Sequence, residues 1–507
     1  MGISYIYEFL IIWLILIFSI RCYFWVKERI YYPPGPYNIP FIGYVPFILA
    51  KHPHKLLDKL RHKYGNLFGF HMGKRYILVL NDYATIKNLI NKEEFLNRPN
   101  IPPMSLFNKN SLVSSNGRIY KREKRISMKI LHKLAFEDKF LESVIQEEIF
   151  SLMKDFQKLE GKPCDIRYLL KRSSTNNISS LLFGRRLDYD DYRSRILLES
   201  TELFDSCNFY GDPSVFFPFL KPLVYLFTDY KRRLLWSDLM ESVLRKEVEE
   251  RNQRLNENHV IDYMDAYLSE VKKNPLHSEN SLLGNSKAFF IAGSVTLSST
   301  FEWFVIAMAI YPDVQSRCFE EINRVVGLER PIDMSDFTTL TYVRAVMLET
   351  FRWKTMVPLN LARSIENDVE YRGYILPKNA FVFVNIWAIH NDPEIWKKPE
   401  EFYPENFLDE DGNIINSEFC IPFSIGRRSC PGENIAILEA FLYMATFIQK
   451  YTFHPPSDKE TFDLDGITTL THYSKPFEMC FGASTASNDG TPLVIRQIYL
   501  KRNSLIW

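Results

Sequence analysis

Apolar residues run almost unbroken from Ile3 to Ile20, interrupted by Ser4 and Glu8 near the start and Ser19 near the end. About 18 residues of this kind span, or nearly span, the hydrocarbon core of a bilayer as a helix. No Lys or Arg precedes the run, whereas Arg21, Lys27 and Arg29 follow it, so the positive-inside rule keeps the bulk of the chain in the cytosol. A cleaved signal peptide needs a basic leader and a small-residue cleavage site, and neither is found. Residues 1–21 are therefore expected to be a single transmembrane helix. Residues 22–40 are expected to be a basic linker and a stiff hinge built on Pro33, Pro34, Pro36 and Pro40, because prolines favour an extended segment.

Beyond the hinge the periodicity changes. Residues 55–63 carry apolar positions at helical spacing, and Leu67 to Met72 and Tyr76 to Leu80 look like short strands. Helical spacing dominates the middle, over 142–158, 231–254, 286–310, 314–326 and 342–353. Short strands and turns follow Pro358, at 369–374 and 381–384, and helix returns over 434–450. The fold class is mainly α with minor β.

Composition narrows the function classes. With 46% hydrophobic and 24% charged residues, the 507-residue chain can bury a large core, which excludes disorder and disulfide-framed miniproteins. Lys plus Arg of 62 against Asp plus Glu of 61 leaves no basic excess to drive nucleic-acid binding. Seven scattered cysteines without a C-x-x-C pair point to reduced thiols. The absence of linkers after Pro40 favours one large domain over 41–481, leaving 482–507 as a tail of unassigned role. For a cytosolic domain the sequon at Asn177 is a chance match.

Chemistry becomes legible at Phe423-Ser424-Ile425-Gly426-Arg427-Arg428-Ser429-Cys430-Pro431-Gly432. A thiolate that ligates iron needs a tight loop with backbone N–H groups aimed at the sulfur and room for a flat macrocycle. Gly426 and Gly432 permit both, Phe423 can pack against the ligand, Arg428 can pair with a carboxylate, and Cys430 would be the metal ligand. No H-E-x-x-H, G-x-x-x-x-G-K-[ST] or G-x-G-x-x-G occurs, so nicotinamide binding is expected on a partner.

This stretch resembles the haem-binding signature of the cytochrome P450 superfamily, F-x-x-G-x-R-x-C-x-G, in full. The resemblance extends over nearly the whole chain. It implies the cytochrome P450 fold and haem b (iron protoporphyrin IX) as cofactor, with Cys430 as its axial ligand. Glu349-Thr350-Phe351-Arg352 matches the family's E-x-x-R brace, two side chains that meet at i and i+3 on one helix. Arg98, Arg363 and Arg428 fall at positions that hold the haem propionates, and Tyr120 and Lys124 replace the Trp and Arg of a further propionate-binding pair. Pro404-Glu405-Asn406-Phe407 stands for P-E-R-F, so an Arg of the brace becomes Asn406.

The distal pattern A-G-x-[D/E]-T is here Ala292-Gly293-Ser294-Val295-Thr296. The resemblance gives Gly293 and Thr296 the catalytic roles, room for dioxygen and a hydrogen bond to it, but the acid is Val295. Glu302 stands about 10 Å further along the helix, so protons would come through water or hydroxyls such as Ser294. The chain most resembles microsomal animal enzymes of the drug- and steroid-metabolising clan. That implies a monooxygenase of the endoplasmic reticulum membrane acting on a lipophilic small molecule. NADPH–cytochrome reductase would be the electron partner and cytochrome b5 a second donor, docking at a proximal basic patch of Lys121, Arg122, Lys129 and Arg427. Two alternatives stay open: a reductase-independent hydroperoxide or endoperoxide isomerase or dehydratase, and a non-catalytic haem protein that sequesters ligands. A pocket is expected from 101–112, 203–217, 289–296, 356–359 and around His472 and Tyr473.

Overall fold

The computed structural model describes residues 2–101, 107, 109–137, 140–207, 209–228, 230–254, 261–274, 276–457 and 461–484. Twelve described helices have eleven residues or more. They are α1 (Gly2–Tyr31), α2 (Pro53–Tyr64), α3 (Gly117–His132), α4 (Phe140–Leu159), α5 (Arg167–Phe183), α6 (Tyr192–Asp205), α7 (Tyr230–Arg254), α8 (Tyr263–Lys273), α9 (Glu279–Ile310), α10 (Pro312–Val325), α11 (Thr341–Trp353) and α12 (Glu433–Lys450). The strands are β1 (Leu67–Met72), β2 (Arg75–Leu80), β3 (Arg363–Ser364), β4 (Val369–Tyr371), β5 (Tyr374–Leu376), β6 (Phe381–Val384), β7 (Tyr451–His454), β8 (Ile467–Thr468), β9 (His472–Tyr473) and β10 (Cys480–Ala483). The largest sheet has the order β1-β2-β6-β3, with β2 and β6 parallel and the other pairs antiparallel; three two-stranded ribbons complete the set.

Helix α1 corrects the expected linker. No glycine or proline interrupts residues 3–31, so nothing stops the helix at Arg21, and it runs on until the prolines at 33 and 34 exclude it. Residues 22–31 are helical, and only the stretch after Tyr31 is extended. That stretch is pinned to the sheet: the Gly69 N–H donates to Pro34 O at 2.9 Å and Tyr76 Oη donates to Pro33 O at 3.2 Å. Gly35 is obligatory there, since a Cβ would lie 1.7 Å from Gly69 O. At the other end β10 pairs with β7, so Gly482 and Ala483 belong to a ribbon of the domain rather than to a tail, and residues 485–507 lie outside the described residues.

Helix α9 has no single apolar stripe because most of its circumference is buried, polar residues such as Asn285 and Glu302 included, and it packs most extensively on α5. By length and composition it could cross a membrane, yet 78% of its most apolar window is buried inside the protein. Its neighbour α5 has no apolar stripe. Ser173, Ser174, Thr175, Asn176, Asn177, Ser179 and Ser180 are all buried on it. Three of these side chains find tertiary partners, Ser173 Oγ and Asn177 Nδ2 reaching Tyr443 Oη at 2.7 and 2.9 Å and Asn176 Nδ2 donating to Glu148 at 3.0 Å, while the Thr175 and Ser179 hydroxyls donate back to carbonyls of their own helix. Asn177 is thus a buried core residue, which by itself removes the sequon from use. Within the strands and turns expected after Pro358, 369–376 forms a hairpin, β4–β5, whose turn lies at Arg372 and Gly373, both at positive φ (51° and 80°).

Glu349 and Arg352 meet on α11 as a fully buried bidentate pair, with both N–H···O distances 2.7 Å. Arg352 also donates to the carbonyls of His390, Pro399 and Glu401, while Glu349 accepts from the Tyr403 N–H and, at 3.4 Å, from Asn406 Nδ2. Asn406 therefore completes the brace as a neutral donor. Removing one member strands the other as an unpaired buried charge, so Glu349→Ala is expected to cost about 3–5 kcal/mol. Chemical unfolding measures this, and an unchanged midpoint would contradict the bracing role.

Candidate functional site

The loop between Phe423 and Gly432 closes on itself. The Cys430 N–H donates to Phe423 O at 2.9 Å and the Ser429 N–H to Gly426 O at 3.0 Å, while the Phe423 ring lies edge-on to Phe351 of α11 at 5.5 Å. Gly426 sits at φ 83°, where a Cβ would approach Asn91 Oδ1 to 2.3 Å, so only glycine fits. Gly432 precedes α12 and aims its N–H at the Cys430 sulfur. Its own Cβ position is free of protein, the nearest atom being that sulfur at 3.9 Å, so nothing in the chain itself requires glycine there.

Cys430 opens into an internal cavity rather than bulk solvent, and it is the one cysteine among the described lining residues. Burial pushes its thiol up to about 11, opposed by the Gly432 N–H and by Lys124. The opposite wall is α9, contributing Ala292, Gly293, Val295, Thr296 and Thr300. Thr296 donates its hydroxyl back to Ala292 O at 2.6 Å, leaving its lone pairs for the cavity. A Cβ on Gly293 would come 2.4 Å from Ile178 Cδ1, so this glycine lets α5 lie close against α9 in addition to lining the cavity. Ser294 is fully buried and lines no part of the cavity, which removes it as a surface for proton entry; Glu302 is likewise off the wall, hydrogen-bonded by Ser474 at 2.8 Å.

One end of the cavity is positive. Arg98 and Arg428 line it and Arg363 is buried close behind them; no Asp or Glu forms an ion pair with any of the three among the described residues. Burial depresses Arg98 to about 10 and Arg363 and Arg428 to about 9, and the last two are lowered further by neighbouring guanidiniums. Arg363 donates to Ile90 O at 3.0 Å but leaves Nε and Nη2 without partners, and Arg98 donates to Leu361 O and Ala362 O and leaves Nε without one. Arg428 is differently used. It donates to Leu96 O at 2.7 Å, Ser115 O at 2.6 Å, Leu112 O and Asn116 Oδ1, and stacks on Tyr120 at 3.3 Å. Tyr120 Oη and Lys124 Nζ both donate to Arg427 O. So Arg98 and Arg363 keep free donors, whereas Arg428, Tyr120 and Lys124 tie the cysteine loop to α3 and to residues 96–116.

These features test the fit of haem. Buried cations without acids, carrying orphaned N–H groups, require anionic partners, and the two propionates supply them; the lone thiol across an apolar gap supplies an axial ligand. The residues fit the group.

The sequence model of the cytochrome P450 family matches residues 33–481. This chain belongs to the cytochrome P450 family. Among its relatives, cytochrome P450 2J1 of Oryctolagus cuniculus is 33% identical over 452 residues, covering 85% of this chain and 87% of that protein. Cytochrome P450 2F2 of Mus musculus is 33% identical over 463 residues (88% and 93%), and cytochrome P450 2D15 of Canis lupus familiaris 30% over 463 residues (89% and 92%). The protein is a haem-dependent monooxygenase with the mainly helical cytochrome P450 fold, and its cofactor is haem b.

Sequence reasoning missed Glu439 of α12 on the cavity wall, and it covered Asp205, at the end of α6, only as part of the expected lining at 203–217 without singling out its charge. A Glu nine residues after Cys430, in the apolar interior of its helix, was the available signal for the first. The expected lining at Ile101 to Leu112 is described only in part, since 102–106 and 108 lie outside the described residues, and Phe107, Leu112, Phe204, Phe289 and Met356 do line the cavity. The proximal basic patch is partly neutralised: Lys121 and Arg427 share Glu93, Arg122 pairs with Glu123 and Lys129 with Glu270.

Because Arg363 is a buried cation without an acid, Arg363→Met is expected to stabilise the haem-free protein while speeding haem loss to a scavenger by about tenfold, equivalent to about 1.4 kcal/mol. Transfer of haem to excess apomyoglobin, set beside unfolding of the apoprotein, measures the two opposed signs. Haem loss at the wild-type rate would contradict the assignment.

Proposed function

We propose that this cytochrome P450 inserts one oxygen atom from O2 into a lipophilic small molecule, using electrons from NADPH passed on by a membrane-bound reductase, with cytochrome b5 as a second donor. The observation that carries this reading is the cavity itself, apolar except at a few points, with the Cys430 thiol on one wall and Thr296 on the other. Haem supplies, when bound, the iron at which dioxygen is activated and an oxygen atom transferred.

The protein's residues do the rest. Cys430 would ligate the iron, with the Gly432 N–H directed at its sulfur. Arg98 and Arg363 would hold the propionates, and Arg428, Tyr120 and Lys124 fix the loop to α3. Thr296 turns its hydroxyl from Ala292 O into the cavity to hold a proton near the reacting oxygen, and the apolar walls exclude bulk water. Val295 cannot move a proton, so Thr296 is fed by water within the cavity. Helix α1, exposed at Ile6, Phe9, Trp13 and Phe18, supports an anchor in the endoplasmic reticulum membrane with the domain in the cytosol.

Val295 would equally suit an isomerase that rearranges hydroperoxides without a reductase; the hydroxyl retained at Thr296 favours the monooxygenase. The deciding experiment is product formation with NADPH and reconstituted reductase. A positioned proton donor contributes about 10²–10⁴-fold to its step, so Thr296→Ala is expected to lower product formed per NADPH and raise hydrogen peroxide released. Unchanged coupling, with full turnover of an organic hydroperoxide in the absence of reductase, would favour the isomerase.

A further inference from the structure

The polar groups of the cavity wall are few, and two of them are carboxylic acids. Glu439 lies on the α12 side with Cys430. Burial raises it to about 8, and Asn177 is its hydrogen-bond neighbour, so at neutral pH it is uncharged. Asp205 is on the other side, where the C-terminal end of α6 meets the hairpin β8–β9. Phe204 beside it faces the same cavity, as do Leu470 and Thr471 of the hairpin.

Asp205 is well hydrogen-bonded and poorly neutralised. Its Oδ1 accepts from the Thr471 hydroxyl, and the Thr469 hydroxyl adds a second bond. It is 5% exposed, and no Lys, Arg or His forms an ion pair with it among the described residues. Burial raises it to about 6, which leaves it largely ionised at neutral pH. The charged groups around it are Lys171 from α5, Glu202 from its own helix and Glu302 from α9, with Tyr473 of β9 also near. Lys171 is the only cation of these, and its Nζ is 3.7 Å from Glu202. Glu302 is neutral or negative, so it adds no positive charge. A buried carboxylate is normally met by a full opposite charge in contact; here, among the described residues, only hydroxyls touch it, and Lys171 acts from beyond ion-pair distance while paired with Glu202. Filling the cavity with a neutral lipophile removes what water reaches Asp205 and makes that deficit worse. A lipophile bearing an ammonium group ends it.

We propose that Asp205 is a specificity-determining residue that makes this cavity select lipophilic amines, the ammonium group seated against Asp205 and Thr471 and the apolar body lying between α9 and the haem face. This rests on the monooxygenase reading for the haem face but not for the amine contact, which is a binding interaction independent of turnover.

The test is equilibrium dialysis of the full-length, haem-loaded protein without reductase at pH 7. The probes are a long-chain tertiary amine with branched N-alkyl groups, too hindered to ligate iron, and its neutral isostere with carbon in place of nitrogen. Wild type is expected to bind the amine about tenfold or more tighter than the isostere. Asp205→Asn is expected to lose that preference while binding the isostere within about twofold of wild type. Thr471→Val, which removes the hydroxyl and keeps the carboxylate, is expected to retain it. Equal binding of the two probes by wild type, or an undiminished preference in Asp205→Asn, would overturn the proposal. So would loss of preference in Thr471→Val as complete as in Asp205→Asn, which would make the pair a brace between α6 and the hairpin. An intact amine preference without reductase-dependent product would defeat the monooxygenase reading alone.

Discussion

Three guanidiniums clustered without a carboxylate among them, two lining one end of a cavity and the third buried behind, are a defect in the protein alone and would be an asset in its complex with an anionic cofactor. Desolvating an unpaired cation is costly, and Arg98 and Arg363 keep N–H groups that nothing in the described chain accepts. Folding has to supply enough elsewhere to hold this strained arrangement. The large apolar core around α9, and the fully satisfied Glu349–Arg352 brace beneath the cysteine loop, are the parts that do so. The two propionates of a bound haem would convert the repulsion into binding free energy. This account makes cofactor retention and apoprotein instability two sides of one electrostatic arrangement.

The same region separates guanidiniums that keep free donors from residues whose donors are spent on the chain itself. Arg428 carries the signature's charge, yet its bonds run to four backbone and side-chain oxygens over residues 96–116 and its plane lies on Tyr120. Tyr120 and Lys124, which replace a Trp and an Arg of the family, converge on a single carbonyl, Arg427 O. The substitutions thus keep the joint between α3 and the loop by a different set of donors.

Much of the architecture was legible where local pattern and tertiary environment agree. The amphipathic and apolar helices α4, α7, α10, α11 and α12 and the strands β1, β2 and β6 lie where periodicity places them to within a few residues. Pattern fails where tertiary partners override it. Helix α5 buries a polar face, met in part by Tyr443 and Glu148 and in part by its own carbonyls, and α1 outruns its apolar segment because no breaker stops it. In the site, Cys430, Gly426, Glu349 and Arg352 were legible because a tight loop and a one-turn helix pair are local in sequence. Asp205 fell within the expected lining at 203–217, but its chemistry was not legible, since it comes from Thr469 and Thr471, more than 260 residues away, and from the lack of a cation in ion-pair contact among the described residues.

The central claim is that a single thiol, set in a glycine-shaped loop and facing a cavity with an anion-seeking end, holds the haem iron. The absorption spectrum of the reduced, carbon monoxide-bound protein tests it most directly. Cys430→Ser is predicted to abolish the red-shifted Soret band, while Cys420→Ser and Cys480→Ser, whose sulfurs lie outside the cavity, keep it. Persistence of that band in Cys430→Ser would contradict the account.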